Sequence, residues 1–83
     1  MLMKSVPVRI DQIYVPRALR AALDPEKVRR LAEQILENGQ QTPIQLRHDD
    51  DRYVLVTGLH RLEAMRALGE ETIDSLIVRT RRW

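Results

Sequence analysis

The sequence predicts a small α+β domain, a mixed α/β arrangement with a mixed sheet and two main helices. Two stretches carry most of that prediction. The first is 53–69, YVLVTGLHRLEAMRALG, where Tyr53, Val54, Leu55 and Val56 have the β-branched, aromatic or apolar character of a buried strand. One glycine later the period changes, and Leu62, Met65 and Leu68 recur at helical spacing before Gly69. The second is Pro25 to Asn38, where Val28, Leu31, Ala32, Ile35 and Leu36 fall at i, i+3, i+4, i+7 and i+8, one apolar face of a helix. Short alternating segments around these two supply the remaining strands.

Taken in order, Val6 to Ile10 alternates about Pro7 and reads as a short strand, with the proline at its start or on an edge. Ile13, Tyr14 and Val15 extend or follow it. Arg17 to Leu23 is rich in alanine and leucine but long enough for only one or two helical turns. Asp24 is an N-cap, able to accept from an orphan N–H, and Pro25 sits at the first helical position, where its missing donor costs nothing. Gly39 supplies the left-handed residue that ends this helix. Ile44 and Leu46 then alternate with Gln45 and Arg47 as a half-exposed strand. A turn through His48, Asp49, Asp50 and Asp51 makes a hairpin with the strand that starts at Tyr53. Past Gly69, Thr72-Ile73 reads as a link and Leu76 to Val78 as a last strand.

Composition bounds the function. At 83 residues the chain is one domain, 1–83, and a domain of this size buries only about 60% of its unfolded surface, which argues against a deep, enclosed active site. Apolar residues make up 43% and charged ones 31%, a globular balance without repeats or low-complexity tracts. The formal charge of +2, from 14 basic and 12 acidic residues, does not by itself argue for nucleic acid. Without cysteine there are no disulfides, thiolate metal sites or thiol chemistry. No stretch resembles a signal peptide or a membrane span, so a cytoplasmic chain without membrane contact is expected. The acidic cluster at Asp49 to Asp51 lacks the spacing and the terminal glutamate of a calcium loop, and no metal site is assigned.

The junction at Thr57-Gly58 is where chemistry is expected. A helix starting there leaves its first N–H groups unpaired and presents partial positive charge, which favours an anion and above all a phosphate. Gly58 lets a ligand approach the backbone. His60 adds a titratable donor, expected to be an imidazolium beside a phosphate, and Arg61 adds a planar fork of permanent charge. Lys27, Arg30 and Gln34, at i, i+3 and i+7, form a stripe beside the apolar face of the first helix and are available to meet His60 and Arg61 across a cleft. The same stripe is also what a plain solvated helix face looks like. Glu33 and Glu63 are candidate bases for phosphoryl transfer, although Glu63 precedes Arg66 by three, as in an ordinary helical charge pair. No catalytic residue is assigned.

The motifs LDPEKVRRLAEQILENG, PIQLR and VTGLHRLEAMRALGEETIDSLIV, after an early V-x-I strand, together resemble the ParB/sulfiredoxin superfamily over the whole chain. In the sulfiredoxin branch L-D-x-x-K-V and G-C-H-R bind ATP phosphates. Here the second motif is Gly58-Leu59-His60-Arg61, so the resemblance implies a nucleotide site at Lys27, Gly58, His60 and Arg61. Leu59 stands at the cysteine position, which removes cysteine sulfinic acid reduction by that mechanism. Arg30 and Gln34 stand where small hydroxyl residues are usual. In the ParB branch two boxes cradle CTP. Gly39, Pro43 and Arg47 fit a version of the first, with Thr42 at its glutamine position, and Gly58, Arg61 and Ala64 meet the second in part.

The resemblance therefore implies ATP or CTP, with or without Mg2+, bound by a regulatory or partner-binding module, the partner being another protein or a second copy. Two alternatives stand beside it. One is a nucleotide-dependent phosphotransferase or hydrolase. The other is a DNA-associated partition or transcription regulator, for which Arg17, Arg20, Arg79, Arg81 and Arg82 would supply phosphate contacts.

Overall fold

In the computed structural model, which describes residues 4–40 and 42–79, helices and strands alternate as expected around one five-stranded mixed sheet. The strands are β1 (Val6–Arg9), β2 (Ile13–Tyr14), β3 (Ile44–Asp49), β4 (Arg52–Thr57) and β5 (Thr72–Ile77), and the helices α1 (Arg17–Arg20), α2 (Pro25–Asn38) and α3 (Leu59–Ala67). A 3-10 turn, Ile10–Gln12, joins the first two strands. The sheet order is β1-β5-β3-β4-β2. β1/β5 and β3/β4 pair antiparallel, β3/β5 and β2/β4 parallel.

That order requires the sheet to curl. β1 and β2 are its two margins, with Arg9 paired to Thr72 and Ile13 to Tyr53. Four residue steps reach at most about 14 Å, whereas four strand spacings in a flat sheet measure about 19 Å. The concave side encloses the core, where Ile44, Leu46, Leu62 and Ile73 are at most 1% exposed and Val8, Ile10, Ile13, Leu55 and Met65 join them. Pro7 lies on β1, which pairs only with β5, so its lack of a donor breaks no ladder on the open side.

α2 has the bounds that its end signals dictate. The Asp24 carboxylate accepts from the Glu26 amide at 3.1 Å, Pro25 occupies the first turn, and Gly39 closes the helix at φ 75°. Of the five apolar positions, Ile35 is buried, and Val28, Leu31 and Ala32 are half-buried against the core. Leu36 departs from the expected face and is 76% exposed. At 3.6 residues per turn it sits about 80° around the helix from Val28, beyond the arc that meets α3 and the sheet.

Two strand boundaries also differ from the sequence reading. β3 continues through His48 and Asp49, so the turn is only Asp50 and Asp51, with Asp50 left-handed at φ 55°. His48 pairs with Tyr53, ring edge to ring face at 5.0 Å, and this cross-strand contact keeps the segment in the ladder. The link assigned to Thr72-Ile73 is the start of β5, which runs from Thr72 to Ile77 rather than from Leu76 to Val78. Ile73 and Ser75 alternate inward, 1% and 0% exposed, and the Ser75 hydroxyl is satisfied by donating to the Ile73 carbonyl at 2.9 Å. A serine in a core position hid the strand's period.

The connection leaving α2 is tied to the sheet by one side chain. The Gln40 amide oxygen accepts from the Asp74 N–H at 2.8 Å, and its NH2 donates to the carbonyls of Asp74 and Thr42, both at 3.0 Å. Gln40 thus serves β5 with strand-like bonds just ahead of the Ile44/Ser75 pairing. Among the described residues no helix is long and apolar enough to cross a membrane.

Candidate functional site

β4 ends at Thr57 and the chain turns into α3 at Gly58, whose φ of 106° and ψ of 28° lie in left-handed space. Glycine is required there twice over. A Cβ would meet Ile44 Cγ2 at 2.5 Å and Ile44 Cβ at 2.8 Å, inside any tolerable contact. The Gly58 carbonyl accepts the first helical bond, from the Leu62 amide at 2.9 Å. No side chain caps this helix, so the N–H groups of its first turn remain available to a ligand at the positive end of the peptide dipoles.

The start of α2 meets the start of α3. The Asp24 backbone N–H donates to His60 Nε2 at 3.0 Å, although the two residues are 36 apart in sequence. An accepting Nε2 carries no proton, so the neutral ring holds its hydrogen on Nδ1. In this geometry His60 offers a ligand one N–H donor, on Nδ1. A role for Asp24 beyond its cap was not legible, because nothing local in the sequence marks a contact over that distance.

A cleft of about 220 Å³ opens at this junction, lined by Lys27, Leu31, Gly58, Leu59, His60 and Arg61. The structure therefore brings Lys27, Gly58, His60 and Arg61 together. Arg30 and Gln34 are exposed farther along α2 and do not line the cleft. Leu31 and Leu59 were not expected as site residues. They provide apolar walls, and Leu59 is also a core side chain, 8% exposed. A buried leucine at the position where the sulfiredoxin motif has cysteine is used for packing.

The charges of the cleft are uncompensated. Among the described residues neither Lys27 nor Arg61 forms an ion pair, whereas Arg9 pairs with Asp11, Arg29 with Glu26 and Glu33, Arg52 with Asp49, and Arg66 with Glu63. The hydrogen bond from Arg29, followed by its charge, holds the Glu26 carboxyl below its usual range. These paired groups are well exposed, and such pairs contribute little stability. A larger groove of about 330 Å³ is lined by Leu23, Pro25, Val28, Glu63, Arg66 and Ala67, but its two charges face each other at 3.4 Å and leave nothing to attract an anion.

The other expected residues are placed as follows. Glu33 is 3.2 Å from Arg29 and Glu63 is 3.4 Å from Arg66, and neither lines the cleft. Arg20 donates to the Val15 carbonyl at 3.1 Å and so helps to fix the chain around α1. Arg17 and Arg79 are exposed, while Arg81 and Arg82 lie outside the described residues. Among the described residues no three His, Cys, Asp or Glu side chains are grouped so as to hold a metal ion.

Sulfiredoxin from Arabidopsis thaliana shares the fold with a TM-score of 0.83 at 31% identity, over 93% of this chain and 86% of that one. The C-terminally truncated chromosome-partitioning protein ParB from Caulobacter crescentus, solved with CTP-γ-S, has a TM-score of 0.80 at 24% identity, over 94% of this chain and 46% of that one. A nucleoid occlusion protein of Oceanobacillus iheyensis is 32% identical over 75 residues, which are 87% of this chain and 26% of the relative. This chain thus spans about a quarter of that protein's length. The family model described as the ParB N-terminal domain matches residues 3–82, and the chain belongs to that family.

Proposed function

We propose that this domain binds the phosphates of ATP or CTP in the cleft between α2 and α3, and that it serves as a regulatory or partner-binding module. The observation that carries this reading is the pair of cations, Lys27 and Arg61, without acidic partners among the described residues, beside the uncapped start of α3. An anion there would accept from backbone amides, from the guanidinium fork and from the His60 ring, while Lys27 adds a point charge from the opposite helix. The ParB structure solved with CTP-γ-S supports a nucleoside triphosphate as the anion. The residues present fit the group: among the described residues every polar side chain of the cleft is a donor, and no carboxylate lines it to repel phosphate. Mg2+ would accordingly arrive on the phosphates rather than on protein ligands.

The nucleoid occlusion relative favours a second, compatible reading in which the nucleotide module is part of a DNA-associated regulator. Arg17 and Arg79 are available for phosphate contacts in that case, whereas Arg20 is committed to Val15.

A thermal-shift screen with ATP, CTP and GTP, each with and without Mg2+, tests the proposal. Ligand at ten times its Kd stabilises the fold by about 1.4 kcal/mol through linkage, which for a domain of this size raises Tm by about 6–11 °C. A folded protein whose Tm does not move with any of the three contradicts it.

A further inference from the structure

We infer that Asp24 is a positioning residue for the phosphate cleft, acting through its backbone N–H, which fixes His60 in the Nδ1–H form and makes the start of α2 part of the site. The inference deepens the nucleotide reading and rests on it, but its first test needs no nucleotide. An unconstrained neutral imidazole favours the proton on Nε2. Here the Asp24 N–H occupies Nε2 at 3.0 Å, so that form would set two hydrogens against each other. The second nitrogen, Nδ1, then carries the hydrogen and is the ring's donor, and His60 lines the same cleft as Lys27 and Arg61.

Asp24 thereby has two separate roles. Its carboxylate caps α2 through the Glu26 amide at 3.1 Å, and its own amide holds the ring that belongs to α3. Lys27, in the first turn of α2, is carried by the segment so anchored. Bound phosphate drawing on His60 and Lys27 together would tighten the contact between the two helix starts. Occupancy of the cleft would be felt at Asp24, outside the wall of the cleft itself.

The experiment is heteronuclear NMR on the free wild-type protein at about pH 7.5, where a neutral histidine is accessible. His60 should show a bare Nε2 and a protonated Nδ1, and the Asp24 amide should be protected from solvent exchange. In His60→Ala and His60→Lys that protection should fall by about tenfold or more, because lysine supplies charge but no acceptor. His60→Gln, whose carbonyl oxygen accepts, should restore much of it. ATP or CTP should then slow Asp24 exchange further in wild type.

An Nε2–H tautomer, an unprotected Asp24 amide in wild type, or protection that survives in His60→Lys overturns the inference. The two readings fail separately. If the tautomer and the protection are found but no nucleotide perturbs Lys27 or Arg61, the nucleotide assignment is wrong and the fixed ring stands. If nucleotide binds at these residues while His60 carries its proton on Nε2, the positioning role is wrong.

Discussion

Gly58→Ala is expected to destabilise the fold by about 2–5 kcal/mol. A left-handed conformation costs an alanine about 1–2 kcal/mol, and forcing an extra carbon into a packed contact adds about 1–3 kcal/mol. The second contribution arises because the new Cβ would lie 2.5 Å from Ile44 Cγ2, and Ile44, 1% exposed on the central strand β3, has nowhere to move. Total stability for a chain of 83 residues is about 4–12 kcal/mol, so the variant approaches the limit of folding. Gly69→Ala is the control: its φ of 78° is also positive, but among the described residues nothing lies within 4 Å of the added carbon. It should show the backbone cost alone, about 1–2 kcal/mol. Urea titration gives both values from the midpoints, with an unchanged slope expected. Equal losses at the two glycines would mean that the approach of Gly58 to Ile44 is not a constraint.

Arg61→Ala is expected to weaken nucleotide binding by about 10- to 150-fold while leaving the free protein folded. Hydrogen bonds from a charged group contribute about 1.5–3 kcal/mol each, and each 1.4 kcal/mol is a factor of about ten. Arg61 is half-buried and, among the described residues, makes no ion pair, so truncation leaves no carboxylate stranded. Arg61→Lys should recover only part of the loss, because an ammonium cannot reproduce the planar fork. Lys27→Ala should cost less and depend more on salt, as a mobile point charge does. Arg30→Ala and Gln34→Ala report on another part of the ligand. Both residues lie outside the cleft wall, so an effect there that changes with the identity of the base would place the nucleoside along α2. Calorimetric titration of each variant measures these differences. Unaltered affinity in Arg61→Ala would remove the guanidinium from the site.

The legibility of this protein follows the range of its interactions. α2 could be read to the residue because Asp24, Pro25 and Gly39 act locally, each on a neighbour within a few positions. The β4–α3 junction was equally plain, since the change of period and the glycine are adjacent, and the motif Gly58-Leu59-His60-Arg61 places four of the cleft's six lining residues in one short run. What failed depended on partners far along the chain. β5 was cut short because Ser75 occupies a core position through a bond to its own strand, and Leu36 was counted as core because the width of the buried arc is set by α3. The parallel pairing of a two-residue β2 with β4, which curls the sheet, has no local signal. The partner of His60 was hidden for the same reason: its neighbours in sequence mark it as a donor, whereas its neighbour in space, the Asp24 amide, uses Nε2 as an acceptor.

The most direct measurement of the central claim is an amide-resolved NMR titration of the wild-type domain with CTP and with ATP, each with Mg2+. Occupation of the cleft predicts that the amides of Gly58, Leu59, His60 and Arg61 shift first and saturate with one dissociation constant, that Lys27 moves with them, and that β1 and the β3–β4 turn stay still. Saturable shifts centred elsewhere, or no shifts with either nucleotide, would contradict it.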